Sequence, residues 1–485
     1  MSEVQPQTNA RRRRSCFRWT VCSLLFFATA VNYLDRQVLS LTWRDFIAPE
    51  FRWTDADYGF ITGCFSLVYA FCNLFAGRFV DRLGAKRGYL WAIFVWSLAA
   101  CLHAATGVGS VHFASALALS VTSVSVWLFL GCRCLLALGE AGNFPAAVKV
   151  TAEYFPPKDR AYATSVFNAG SSVGALVAPM SIPLLAERWG WEAAFVAIGA
   201  LGFVWMGFWQ FLYRRPAENP RVSEAELAYI EQNEVDAGGS RGRTKDVNSS
   251  TVRPGLGPAT RMSYLRAFSL RQTWALVLGR FLTDGVWWFF LFWTPGYLSD
   301  QFGYRSSSGM GMALIVVLYA IVTFASIWLC RLPAYMVEKR GMNAYEGRMV
   351  AMLLFACLPL LALGAQPLGA FSAWWPAVLI GCACAGHQAW SANVYSCAGD
   401  LFPKSCVGTL TGIAQCAAGL GSFCVNVFAG MLFTVAAERG DGFAFAGYTG
   451  KPAGYMVVFC YCAVAYVAGW CCMKGLVPKF RRVEP

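Results

Sequence analysis

Apolar residues arrive along this chain in uninterrupted blocks of roughly twenty, the length that lets an α-helix cross about 30 Å of hydrocarbon. Blocks at 17–41, 56–80, 87–105, 122–154, 161–186 and 190–213 are followed by a polar stretch. A second set then occupies 273–298, 309–330, 345–365, 373–399, 406–434 and 452–475. In a membrane core without water, each block must satisfy its own backbone hydrogen bonds, so each is expected to be a helix. The pattern predicts an all-α membrane protein of about twelve transmembrane helices in two six-helix halves. The expected units are an N-terminal tail over 1–16, a first half over 17–213, a linker over 214–272, a second half over 273–476 and a C-terminal tail over 477–485.

Composition supports that class, because 57% of the 485 residues are apolar and only 14% are charged, where soluble chains carry about a quarter. The formal charge of +13 does not point to nucleic acid, since the basic residues form short runs between apolar blocks rather than one face. Taking the linker as cytoplasmic puts Arg82, Lys86, Arg87, Lys339, Arg340, Lys479, Arg481 and Arg482 on its side, while 104–121 and 366–372, read as loops on the other side, hold no Lys or Arg. Both termini are therefore expected on the cytoplasmic side. The basic start at Arg11 to Arg14 leads into an apolar block too long for a cleaved leader, so the first helix is expected to be retained. The linker, with Lys245, Arg253 and Arg261 among Gly, Ser and Pro, is expected to be partly disordered. The 19 cysteines lie mostly inside apolar blocks, where a thiol packs as a small hydrophobe. No disulfide framework, metal or cofactor is expected.

A loop motif gives the first functional pointer. Gly77, Asp81, Arg82, Gly84, Lys86 and Arg87 follow the spacing G-x-x-x-D-R-x-G-x-K-R after the second block, and Pro333 to Gly341 echoes it after the eighth, with Glu338, Lys339, Arg340 and Gly341 in matching places. The glycine allows two helices to approach closely, and an acid near a helix terminus can pair with basic partners in one state and release them in another. The same residues are also compatible with an ordinary topogenic basic loop. The motif and the hydropathy of the whole chain resemble the major facilitator superfamily. That resemblance implies a secondary transporter that works by alternating access, with its site between the halves, and that functions as a monomer.

An ionised side chain in hydrocarbon costs a few kcal/mol or more, so the few that remain usually line a transport path. The first block carries Asp35 and Arg36, and the fourth carries Arg133 and Glu140, two helical turns apart on one face. Arg36 and Arg133 are either guanidiniums offered to a carboxylate substrate in forked geometry or structural counter-ions to Asp35 and Glu140. For Glu140, burial favours the neutral acid and an arginine favours the carboxylate, so a substrate that occupies the arginine would promote protonation. An empty carrier is expected to pair Glu140 with Arg133 across two turns, and indirectly, since a separation of about 10 Å is too long for rigid contact.

The segments Asn32 to Arg36 and Arg133 through Gly139 to Pro145 look like the anion:cation symporter branch of that superfamily, and Arg280 to Pro295 is similar to bacterial hexuronate transporters. The resemblance implies proton-coupled symport of a sugar acid such as galacturonate or glucuronate. It makes Arg36 and Arg133 the carboxylate ligands, Asp35 and Glu140 the proton-coupling acids, and Tyr33 and Tyr69 neighbours of the substrate. In the seventh block, Trp287 and Trp288 can pack on a sugar ring or serve lipid contact and core packing, whereas Trp293 and Tyr297 nearer its end read as interfacial belt residues. In the tenth block, His387, Gln388, Trp390, Ser391 and Asn393 form a polar patch fit for hydroxyl recognition or for bonding between helices. Asp284 is expected to pair with Arg280 one turn earlier. Rival readings are a symporter or exchanger of another organic anion (aldonate, aldarate or aromatic carboxylate) and, remotely, a membrane receptor or enzyme. No nucleophile with its base, and no phosphate-binding glycine loop, supports the enzyme.

Overall fold

A computed structural model describes residues 16–238, 264–402, 404–481 and 483. Arg11 to Arg14, Lys245, Arg253, Arg261 and Arg482 lie outside the described residues. The first half contains α1 (Phe17–Thr42), α2 (55–83), α3 (85–117), α4 (Val121–Glu140, continued by Asn143–Tyr154), α5 (Pro157–Trp189) and α6 (Trp191–Leu212). The second contains α7 (Arg271–Phe302), α8 (Gly309–Leu329, continued by Leu332–Arg340), α9 (Ala344–Cys357), α10 (Trp374–Leu401), α11 (Lys404–Arg439) and α12 (Gly450–Leu476). Among the described residues, ten helical stretches are long and apolar enough to cross a membrane. The stretch over 55–117 crosses twice, because Gly84 (φ 79°, ψ 159°) breaks the helix there, and the more polar α10 adds another by its 28 residues. The result is a twelve-helix, multi-pass architecture.

Glycines in the left-handed region end the matching helices of the two halves: Gly84 after α2, and Gly341 (φ 64°) after the continuation of α8. The loop expected over 104–121 is shorter than its polarity suggests, since α3 stays helical to Leu117. Thr106 and Ser110 donate back to the carbonyls of His103 and Thr106 at 2.6 and 2.5 Å. Their hydroxyls are thereby satisfied without breaking the helix. In the linker, the helix Glu224–Gly238 presents Glu226, which accepts from the backbone N–H groups of Phe17 and Arg18 at 3.2 and 3.1 Å. An acid at the N-terminus of α1 complements the partial positive charge of that helix end.

The halves meet tightly along α2 and α11. A Cβ on Gly59 would lie 2.9 Å from the Cα of Gly430 and 2.5 Å from the carbonyl of Asn426, so only glycine permits this backbone approach. Gly77, where the motif led us to expect a close approach, has nothing within 4 Å of an added Cβ. The close contact of these two helices runs from Gly59 beside Gly430, through Gly419 beside Ser66 and Ala70, to Gly412 beside Leu74, and does not include Gly77.

The face remote from the linker is sealed in two layers. Trp43 stacks on Tyr58 at 3.9 Å between ring centroids and meets Trp293 edge-on at 5.7 Å, and the Tyr58 hydroxyl donates to the Phe292 carbonyl at 2.8 Å. Trp293 is wholly buried and donates to Asn426 at 3.0 Å, and Tyr297 is buried beside Gln366. Neither is the interfacial residue expected from its place in the block, because α7 runs through the centre of the bundle at that depth.

Above the aromatic layer lie four charges. Lys451 on α12 contacts Asp55 at 2.9 Å and Asp300 at 2.6 Å, while Arg44 contacts Asp300 through Nε at 2.5 Å and Asp55 at 3.6 Å. Each half supplies one cation and one anion, so after parting, each would keep its own pair, Arg44 with Asp55 and Lys451 with Asp300. Opening therefore leaves no isolated charge. Among the described residues, every ion pair joining the two halves is in this cluster. Asp300→Asn removes one anion shared by both halves, and hydrogen exchange over 43–55 and 299–306 should then speed up relative to the parent protein. Unchanged exchange there would show that these charges do not hold the face shut.

Candidate functional site

The α1 backbone is helical through Asp35 and Arg36, and the α4 backbone through Arg133 and Glu140; all four residues are buried. Two of them pair directly. Arg36 donates from Nε at 3.0 Å and Nη2 at 2.6 Å to the same Glu140 oxygen, Oε2, leaving Oε1 with no protein partner among the described residues. The direct partner of Glu140 is thus Arg36, where the expectation was an indirect pairing with Arg133. Two helical turns separate the backbones of Glu140 and Arg133 by about 10 Å, and α1 packs close enough to present Arg36 instead.

Arg36 is also caged by aromatic rings. Its guanidinium carbon lies 4.7 Å from the Tyr69 centroid, 5.1 Å from Trp288, 5.2 Å from Tyr33 and 5.9 Å from Phe65. Ring faces attract a cation without neutralising it. Tyr33 and Tyr69 are half-buried, so the cage has an exposed side. Phe65 does not stand out in the sequence, since a phenylalanine in an apolar block carries no distinguishing signal.

Among the described residues, Arg133 has no acid in hydrogen-bond contact. Its Nε lacks a protein partner, its Nη1 makes only a 3.5 Å contact with the Arg36 carbonyl, and its guanidinium sits 5.4 Å from Phe65. Both oxygens of Asp35 are buried without a protein hydrogen-bond partner among the described residues. Two cations and two acids thus share the first-half interior, with one direct pair among them.

The second half contributes Trp288 to this wall, where it also meets Tyr69 edge-on at 6.3 Å. Trp287 points elsewhere and stacks on His387 at 5.2 Å with the planes 9° apart, and His387 in turn contacts the Tyr466 hydroxyl at 2.7 Å. Asn393 is apart from both. Its amide donates to the Ala389 carbonyl at 2.8 Å, and the residue lines a cavity of about 390 Å³ between the ends of α8, α9 and α10. The structure therefore brings Tyr33, Arg36, Tyr69, Trp288 and Glu140 together, places Arg133 and Asp35 beside them, and leaves Trp287 and Asn393 outside the cage.

In the loop motif, Asp81 is exposed and accepts from Lys149 at 3.0 Å, and Lys86 donates to the Gln210 carbonyl at 3.0 Å. Arg82 and Arg87 are exposed. All of these contacts stay within the first half.

A second buried ion pair is present in the other half. Arg280 contacts Asp284 at 2.7 Å, one turn along α7 as expected, and also donates to Ser391 at 2.5 Å, to the Tyr395 hydroxyl at 2.8 Å and to Gln415 at 3.1 Å. The three polar partners on α10 and α11 could not be assembled from spacing alone.

Two six-helix halves that seal against each other on one face, around an interior with buried arginine–acid pairs, form the construction of an alternating-access carrier. Residues 25–425 match the family model described as Major Facilitator Superfamily. The chain is 26% identical over 427 residues to the hexuronate transporter of Escherichia coli K12, covering 87% of this chain and 89% of that one. It is 27% identical over 339 residues to the probable galactarate/D-glucarate transporter GarP of the same strain, covering 70% and 71%. A solved bacterial homologue of the human lysosomal transporter Spinster, inward-facing and occupied, superposes with a TM-score of 0.69 at 19% identity over 97% of this chain and 99% of that one. With its twelve-helix fold and a family match that spans both halves, this chain belongs to the major facilitator superfamily, and it is a multi-pass membrane transporter of small molecules rather than an enzyme.

Proposed function

We propose that the protein takes up a sugar acid, galacturonate or glucuronate among them, together with protons across a bacterial inner membrane, working as a monomer with both termini in the cytoplasm. The observation that carries this reading is the aromatic cage in which Arg36 is held by Glu140 alone among acids. With all four groups ionised, Asp35 and Glu140 balance Arg36 and Arg133. A bound carboxylate adds one negative charge to a dry interior. Taking Arg36 from Glu140, it leaves a buried carboxylate without its partner, and uptake of a proton is the less costly outcome. The site then returns to neutrality with substrate and proton aboard together. Trp288 and Tyr69 offer ring faces to the apolar C–H side of a sugar, and the relatives that carry hexuronates and aldarates support the sugar-acid class.

The test is uptake of labelled galacturonate, glucuronate and galactonate into liposomes holding the purified protein, with and without an inward proton gradient. Gradient-driven accumulation of at least one is expected. Uptake of none would remove the sugar-acid reading while leaving the transporter fold intact, and uptake indifferent to the gradient would remove proton coupling.

A further inference from the structure

Where α7 begins and the chain leaves α12, on the linker face of the second half, a cavity of about 740 Å³ is lined by Ser269, Arg271, Gln272, Lys479 and Arg481, among others. Three of these are cations. Among the described residues no acid lines the cavity, and none of the three cations is in an ion pair. Like charges gathered on one wall repel, so the group that suits this wall is an anion from outside the chain.

A basic run at a helix end also serves topology. Such a run needs no cavity, and here the tail is fastened around one. The Tyr345 hydroxyl donates to the Val477 carbonyl at 2.7 Å, and the Val483 N–H donates to the Leu401 carbonyl at 2.8 Å. Between these two ties, the Gln272 amide contacts the Arg481 carbonyl at 3.5 Å. Lys479 and Arg481 are thus carried on a segment held against α9 and α10 at its ends and touching α7 between them.

The size of the cavity and the residues around it choose among anions. Its volume is that of a small-molecule site and exceeds a lone phosphate. Exposed apolar side chains adjoin the lining along the chain: Leu265 and Phe268 just before Ser269, Trp274 two residues after Gln272, and Phe480 between Lys479 and Arg481. The Trp274 indole N–H donates to the Phe268 carbonyl at 2.8 Å. Aromatic rings with a polar edge, set beside basic residues, suit the depth of lipid headgroups. A zwitterionic headgroup would bring its ammonium to a wall with no carboxylate to receive it, so a headgroup of net negative charge fits better.

We infer that this cavity binds the phosphate headgroup of an anionic phospholipid from the leaflet on the linker face. Arg271, Lys479 and Arg481 hold the phosphodiester, and Trp274 and Phe480 lie beside the glycerol and the first acyl carbons. Arg271 starts α7 while Lys479 and Arg481 follow α12, so one headgroup fastens the tail to both ends of the second half.

Native mass spectrometry of the purified carrier in neutral detergent, titrated with phosphatidylglycerol, phosphatidylcholine and glycerol 3-phosphate, tests the inference. Phosphatidylglycerol should bind about tenfold or more tightly than either of the others. Arg271→Gln, Lys479→Gln and Arg481→Gln should each weaken it by about fivefold, and the three together by more than tenfold. All three side chains are exposed, so the fold should survive, which thermal unfolding without added lipid checks; if the triple variant does not fold, the single variants carry the test. Arg214→Gln with Arg215→Gln removes exposed cations at the end of the first half and should leave binding unchanged. An equal fall in that control shows diffuse surface attraction and overturns the site, as does unchanged binding in the cavity variants. Glycerol 3-phosphate binding as tightly as phosphatidylglycerol overturns the lipid in favour of a soluble phosphate. Equal binding of phosphatidylcholine overturns the selection for net negative charge.

Discussion

Arg36→Ala should abolish substrate binding and also destabilise the carrier, whereas Arg36→Ala combined with Glu140→Ala should regain stability without regaining binding. The reason is the burial of the pair, with side-chain exposures of 5% and 0%. Removing one member of such a pair costs about 3 to 5 kcal/mol, because the other charge is left in low dielectric without a partner. Removing both deletes the unpaired charge along with the attraction. The milder change, Arg36→Lys, keeps the charge but loses the two donors that now converge on Glu140 Oε2, so substrate affinity should fall by about 1 to 3 kcal/mol. Thermal unfolding in detergent and calorimetric binding, read side by side, separate the two effects. Full affinity in Arg36→Lys would move the carboxylate to Arg133, which among the described residues has no acid in hydrogen-bond contact and an unpartnered Nε.

Glu140→Gln should convert the carrier from one that accumulates substrate into one that only equilibrates it. The amide is nearly the shape of the protonated acid, and its oxygen can still accept from Arg36, so binding and exchange across the membrane should persist. What disappears is the proton that balances the incoming carboxylate. Counterflow should therefore remain near the parent rate while accumulation driven by a pH gradient falls to the equilibrium level. Asp35 lies in the same first-half interior, and neither of its oxygens has a protein partner among the described residues. Asp35→Asn should accordingly weaken accumulation as well. Proton-driven accumulation at the parent level in Glu140→Gln would place the coupling on Asp35.

Much of the site is legible in the amino-acid sequence, and for a specific reason. In a membrane helix a charged residue stands out against an apolar background, so Asp35, Arg36, Arg133, Glu140, Arg280 and Asp284 declare themselves. The i, i+4 pair of Arg280 with Asp284 is legible too, because both residues lie on one helix and the α-helical repeat fixes their spacing. Aromatic residues declare far less. Trp287 and Trp288 are adjacent in the sequence yet serve different surroundings, one stacked on His387 and the other on the wall of the Arg36 cage. Asn393 has the right polarity for a sugar hydroxyl but lies on a face of α10 turned toward α8 and α9.

The number of helices, their grouping into two halves and the presence of buried charges follow from the chain alone, because each helix must close its own backbone hydrogen bonds within hydrocarbon. Which charges meet follows from how those helices are rotated and tilted against one another. Arg36 and Glu140 are 104 residues apart, Arg44 and Asp300 are 256 apart, and Asp55 and Lys451 are 396 apart. No periodicity encodes such pairings, since blocks that are apolar on nearly every side leave their rotation unspecified. Close backbone contacts such as that of Gly59 with Gly430, and the burial of the few polar groups against one another, set that rotation. Only in the packed bundle does Glu140 find Arg36 rather than the arginine two turns away on its own helix.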